Sequence, residues 1–193
     1  MRTITALENV TLDGVMQSPG RPEEDDRGGF THGGWAAASA RDPEIQARMG
    51  EGMGKPGSLL FGRRTYEDFY GFWPHQKDNP FTSVLNARRK YVASRTLTDP
   101  LPWENSTLLS GEAAEAVATL KKEGDEDLLI LGSGELVRSL ARHDLIDRYT
   151  LLIFPIVLGG GQRLFDDGVA ARLRLTDSLT GPSGVILATY ARD

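Results

Sequence analysis

Leu128-Leu129-Ile130-Leu131-Gly132-Ser133-Gly134-Glu135-Leu136 is the stretch that decides the fold of this 193-residue chain. Four successive apolar residues, too short a run for a helix, read as a strand buried on both faces. The two glycines let the chain turn and let a ligand approach the backbone. Glu135 to His143, with Leu136 and Leu140 one turn apart, then reads as a helix. A strand passing directly into a helix is half of a parallel α/β unit. It is also a natural anion site, because the first N–H groups of the helix are unpaired and lie at the positive end of its dipole. The full dinucleotide fingerprint is absent. Its third glycine would fall on Val137, and Leu152 stands where a ribose-binding acid is expected.

Outward from this point, strands and helices alternate. Upstream, Gly57 to Gly62 reads as a buried strand, and Thr65 opens a helix over Tyr66 to Phe72. Phe81 to Arg89 reads as a short helix, and Lys90 to Ser94 and Thr107 to Leu109 as strands. Ser110 suits an N-cap, the following helix carries Ala113, Val117 and Leu120 on one face, and Gly124 suits a left-handed stop. Arg2 to Asn9 alternates as a first strand. Gln17 to Gly34 reads as an active-site loop whose acids, Glu23, Glu24, Asp25 and Asp26, stay in water. Trp35 to Met53 is helix-compatible, with Pro43 starting its regular part. Downstream, Tyr149 to Val157 reads as a strand ended by Gly159-Gly160-Gly161. Arg172 to Asp177 and Val185 to Ala191 close the chain as an antiparallel pair. The predicted class is α/β: one domain over residues 1–193, parallel in its middle, with antiparallel strands at its C-terminal end.

Composition narrows the function. The net charge is −5, with 39% hydrophobic and 25% charged residues, which is ordinary for a globular protein and unlike a dedicated nucleic-acid binder. The chain has no cysteine, so disulfides, Cys-ligated metals and thiol nucleophiles are excluded. His32, His75 and His143 lack metal-ligand spacing, and no metal is expected. The N-terminus has no apolar signal core, and Leu151 to Leu158, broken by Pro155, is too short to span a bilayer. A cytoplasmic protein is expected.

Two more strand ends repeat the chemistry of the first. Gly62-Arg63-Arg64-Thr65 places two bidentate donors between a buried strand and a helix start. Ser94-Arg95-Thr96 follows the strand ending in Ala93. In open α/β sheets, ligands bind outside the carboxyl ends of the strands. Three such ends suggest an extended ligand bearing several phosphates. Gly54-Lys55-Pro56 fails the P-loop pattern, and Ser133 sits in no nucleophile elbow.

Taken in order, these segments resemble the dihydrofolate reductase-like superfamily, in its riboflavin-biosynthesis reductase (RibD C-terminal-like) branch. The residues that carry the likeness begin with Thr11 to Met16, Gly33-Gly34-Trp35 and Leu60 to Glu67. Tyr91 to Arg95, Leu129 to Leu136, Asp144 to Asp147 and Pro155 to Phe165 complete it. The resemblance implies a mostly parallel sheet flanked by helices that binds NADPH and reduces a small heterocycle, pterin- or pyrimidine-like. On that pattern Gly62, Arg63, Thr65, Gly132, Ser133, Gly134, Glu135 and Leu136 line the cofactor. Ser94 and Arg95 flank its adenosine ribose, and Arg63 or Arg64 reaches the 2′-phosphate. Leu12, Asp13 and Gly14 lie by the nicotinamide, with Pro155 to Gly160, including Val157 and Gly159, on its other side. Candidate catalytic acids are Asp42, or Glu44, in the region where such reductases carry a substrate-binding carboxylate, and Asp13 as an alternative proton handler. Trp35, Tyr66 and Phe69 are candidates to floor a flat substrate. The resemblance also implies a homodimer, with the strand Leu151–Val157 and the C-terminal strands as possible surfaces. A nucleotide- or flavin-binding module without efficient catalysis is the alternative.

Overall fold

A computed structural model describes residues 1–37 and 42–193. The chain divides into two compact units, Met1–Ala6 with Met53–Asp147, and Leu7–Gly52 with Arg148–Asp193. Eight strands follow the order β4-β3-β2-β5-β1-β6-β8-β7, and β1 (Ile4–Thr11) has residues in both units. Burial alternates along most of β1, as the period-2 sequence requires.

The first unit holds β2 (Ser58–Gly62), β3 (Lys90–Ala93), β4 (Ser106–Leu109) and β5 (Leu128–Leu131). β2 pairs in parallel with β3 and with β5, and β3 pairs in parallel with β4. Leu59, Leu60, Phe61, Val92 and Ile130 are fully buried, which explains the unbroken apolar runs. The helices are α2 (Arg63–Phe72), α3 (Pro80–Ala87), α4 (Ala113–Lys122) and α5 (Gly134–Arg142). The chain leaves β2 toward β3 and β4, then returns to place β5 on β2's other side. β2 and β5 therefore flank a topological switch point, where ligands sit in such sheets. The start of the chain is pinned by distant residues: Arg2 N–H donates to Lys121 O, Thr3 N–H to Asp127 Oδ1 and Ile4 N–H to Asp147 Oδ2.

The second unit holds most of β1 and of α1 (Pro43–Gly54), with β6 (Arg148–Phe154), β7 (Leu173–Thr180) and β8 (Ile186–Arg192). β8 pairs antiparallel with both β6 and β7. Its core gathers Ala36, Ile45, Leu152, Phe154, Val185 and Leu187. β6 thus gives Leu152 and Phe154 to this core.

Several expectations shift. Residues 33–37 form turns rather than helix, residues 38–41 of the expected Trp35–Met53 helix lie outside the described residues, and α1 starts at Pro43 as expected. β6 stops at Phe154 because Pro155 has no N–H to continue the ladder. α2 opens at Arg63, two residues before Thr65. Ser110 is not a cap: Gly111 takes φ +94°, and Glu112 precedes the first turn of α4. Gly124 is not left-handed. A Cβ there would overlap the guanidinium of Arg2, so glycine serves close approach. The acidic loop is internally bonded: the Asp25 carboxylate accepts from the backbone N–H and the guanidinium of Arg27, and Glu24 Oε2 accepts from Gly20 and Arg21 N–H.

Candidate functional site

Three neighbouring parallel strands of the first unit bring Ser94, Gly62 and Gly132 to one edge of the sheet. The β2–α2 and β5–α5 turns are tied together by two hydroxyls. Gly62 N–H donates to Ser133 Oγ at 3.0 Å, and Ser133 N–H donates to Thr65 Oγ1 at 3.0 Å. Ser133 reaches this position in the left-handed region, at φ 64°. Gly132 is also left-handed at φ +61°, and a Cβ there would press to 3.3 Å on Thr65 Cγ2.

This latch refines the sequence reading. The N–H groups of Gly62 and Ser133 are engaged within the protein, accepted by the hydroxyl oxygens of Ser133 and Thr65. The donors left for an anion are the first-turn N–H groups of α5, at Gly134, Glu135 and Leu136, those of α2 at Arg63 and Arg64, and the O–H groups of Thr65 and Ser133. Val137 N–H already closes the first helical bond onto Ser133 O. Ser94 is buried, and its Oγ accepts from Thr96 and Leu97 N–H, so its hydroxyl shapes the turn.

Each arginine at this edge rests on a carboxylate. Arg63 pairs with Glu67 at 2.8 Å, Arg64 with Glu135 at 2.5 Å, and Arg95 with Glu112 at 3.2 Å. All six side chains are exposed enough for solvent to screen them. Such pairs are worth about 0–1 kcal/mol, so a phosphate can displace the acids.

In the second unit, the β1 end turns tightly through Leu12, Asp13 and Gly14, with Gly14 at φ +80°. Asp13 accepts from Thr11 Oγ1 at 2.6 Å, Leu158 N–H at 3.2 Å and Gly159 N–H at 2.8 Å. The Thr11 hydroxyl foremost, with these N–H groups, holds the carboxyl at about 2. Such a group remains an ionised anchor and donates no proton at neutral pH. Leu12 N–H bonds Ile156 O, leaving Leu12 (63% exposed) and Val157 (66%) as apolar side chains on a braced turn.

Asp42 caps α1. Its Oδ1 accepts from Glu44 and Ile45 N–H, and its Oδ2 from Ser183 N–H and Oγ. These bonds outweigh desolvation and lower its pKa. The site therefore uses both candidate acids as structural anchors.

The three aromatics fall in different units. Trp35, in the second unit, packs edge-on to Phe154 and donates Nε1–H to Gln17 O. Tyr66 and Phe69, in the first unit, belong to an aromatic cluster with Phe61 and Trp103. Tyr66 is 1% exposed and its hydroxyl accepts from Trp103 N–H, so its assignment to substrate contact is corrected to core.

The sequence reading passes over Arg88-Arg89-Lys90, three bases at the entrance to an apolar strand. Lys90 is fully buried, and its ammonium donates to the carbonyls of Asn86, Arg88 and Glu104 while lying 4.6 Å from the Trp103 ring. Among the described residues, no group of three His, Cys, Asp or Glu is placed to hold a metal, and no helix is long and apolar enough to cross a membrane.

Comparison with known proteins agrees with this architecture. Uncharacterized protein YyaP of Bacillus subtilis (strain 168) is 30% identical over 141 residues, 69% of this chain and 72% of YyaP. Uncharacterized protein YwjB of the same organism is 27% identical over 123 residues, 55% of this chain and 66% of YwjB. Among solved structures, a "Putative riboflavin biosynthesis protein" from Shewanella sp. PV-4 superposes with TM-score 0.72 at 24% identity, over 100% of this chain and 99% of that one. Enterococcus faecalis dihydrofolate reductase, solved with NADP(H) and RAB-propyl, gives 0.63 at 13% identity over 99% and 96%. A pyrimidine reductase-like protein from Corynebacterium diphtheriae gives 0.61 at 16% identity over 100% and 92%. These likenesses establish a dihydrofolate reductase-like fold. The RibD C-terminal domain model matches residues 2–187, nearly end to end, and the chain belongs to that family.

Proposed function

We propose that residues 1–193 act as one NADPH-dependent reductase of a small heterocyclic substrate, pterin- or pyrimidine-like. The observation that carries this reading is the latched pair of strand-to-helix turns at a topological switch point, with Arg63 and Arg64 at the first and Arg64 reaching Glu135 of the second. Gly132 is left-handed and a Cβ there would crowd Thr65, and the two helix starts supply backbone donors, so the residues present fit a pyrophosphate. In the first unit, Arg63, Arg64, Gly134, Glu135 and Leu136 hold the phosphates, with Gly62, Thr65, Gly132 and Ser133 as their frame. Ser94 and Arg95 flank the adenosine ribose. In the second unit, Leu12, Gly14, Val157 and Gly159 serve the nicotinamide end, and Asp13 positions them.

When bound, the dinucleotide supplies the hydride. The chain's own residues bind it, orient it and exclude water. Neither Asp13 nor Asp42 is assigned the proton. That their hydrogen bonds are already committed favours a second reading, a nucleotide- or flavin-binding module without efficient turnover. Oxidation of NADPH by pterin and pyrimidine candidates separates the two.

Titration with NADPH and NADH, followed by tryptophan quenching or calorimetry, tests the cofactor assignment. NADPH is expected to bind at least about tenfold tighter, and Arg63→Ala or Arg64→Ala to erase most of that preference. Absence of binding by either nucleotide at millimolar concentration refutes the reading. We also assign the chain to the cytoplasm as a homodimer that binds neither nucleic acid nor membrane. The exposed Leu175 and Ile186 on β7 and β8 support the dimer, and a monomer in sedimentation at micromolar concentration removes it.

A further inference from the structure

Within the first unit, the amino ends of β2, β3, β4 and β5 surround a cavity of about 710 Å³, at the edge of the sheet opposite Gly62 and Gly132. Its charge departs from that of the chain. The chain carries a net −5, yet the cavity is lined by Lys55, Arg88 and Arg89 against the single acid Glu126. Its lining also includes the apolar side chains of Met53, Pro56, Val84 and Ala87.

The rim is built in advance. Arg88 donates to the carbonyls of Met53 and Lys55, joining the α1–β2 connection to the end of α3. Lys90 binds the carbonyls of Asn86, Arg88 and Glu104 from below. Asn105 Nδ2 donates to Asn86 O and Ala87 O. With its neighbours fixed, Arg89 is exposed, donates to Tyr91 Oη at 3.4 Å and lies in the field of Glu126, whose place a ligand anion would take. Glu126 is turned to Ser58, whose hydroxyl donates to it at 2.9 Å. Ser106 lines the same cavity, and its Oγ is buried without a hydrogen-bond partner. A buried hydroxyl left unpaired costs free energy that a bound acceptor recovers.

We propose that this cavity binds a small organic anion, a terminal phosphate or carboxylate on an apolar body, independently of the cofactor site. Arg89 and Lys55 take the charged group, the Ser106 hydroxyl turns out of its buried position to complete the hydrogen bonds, and Met53, Pro56, Val84 and Ala87 contact the body. A cavity of this volume suits an organic molecule rather than a bare inorganic ion.

Calorimetry with phenyl phosphate, phenylacetate and inorganic phosphate tests the site on the full chain. At least one organic anion is expected to bind at least about tenfold tighter than inorganic phosphate, and which one does so distinguishes the two charged groups. Arg89→Ala is expected to weaken that binding about tenfold and Arg89→Lys less, with NADPH affinity unchanged. Ser106→Ala separates binding from folding. It removes an unpaired buried hydroxyl, so thermal stability is expected to hold or rise while anion affinity falls. Absence of organic-anion binding at roughly 10 mM, or equal affinity in wild type, Arg89→Ala and Ser106→Ala, overturns the proposal.

Discussion

At the scale of single residues, two charged groups do opposite work. Asp13 ionises in the open and is held ionised by donors. Its folded pKa, about 2, lies below the ordinary 3.8, so its contribution to stability is present above about pH 4 and is lost as pH falls through 2. Chemical denaturation of wild type and Asp13→Asn across this range checks the sign: the gap between them is expected to be constant at neutral pH and to close toward pH 2. Lys90 is charged in the interior, and burial pushes it down to about 8. It survives there because three carbonyls and an indole face replace its water. Lys90→Met keeps the length and strands those carbonyls, so it is expected to lower unfolding free energy by about 2–4 kcal/mol. A loss under about 0.5 kcal/mol in urea titration would show that the tether is idle.

At the scale of elements, the β5–α5 turn was legible because chemistry and conformation coincide in it. A buried apolar strand, Gly-Ser-Gly and an amphipathic helix admit few other arrangements. The latch between Ser133, Gly62 and Thr65 was not legible, since it joins residues 68 and 71 positions apart. The commitment of Asp13 to Leu158 and Gly159 was hidden for the same reason, at separations of 145 and 146. Helix ends were misread where a second residue decided the geometry. Gly111 displaced the cap expected at Ser110, and Gly124 lies under the Arg2 guanidinium rather than in a left-handed turn. Burial of Tyr66 depends on what Trp103 does, which periodicity alone does not reveal. The latch makes two substitutions informative. Gly132→Ala forces a Cβ into the left-handed region and against Thr65, at a cost of about 1–3 kcal/mol. Ser133→Ala removes the acceptor of Gly62 N–H and is expected to cost about 1 kcal/mol. Both are expected to weaken NADPH binding more than they lower the melting temperature, as differential scanning fluorimetry beside nucleotide titration will report.

At the scale of the whole molecule, charge and connectivity set the behaviour. The three arginine–carboxylate pairs at the carboxyl edge are screened, so melting should change little between low and high salt. Affinity for a polyanionic cofactor should fall across the same range, since binding trades those acids for phosphates. A melting temperature that drops steeply with salt instead would make the pairs structural. The pinning of Arg2, Thr3 and Ile4 by residues 121 to 147 reaches into biosynthesis. β1 is an interior strand of the sheet, yet the groups that fix its start lie up to 143 positions later. At roughly 5–20 residues per second, the ribosome makes β1 about 7–30 s before those groups exist. The start of β1 therefore gains the groups that fix it only after the chain through residue 147 has been made.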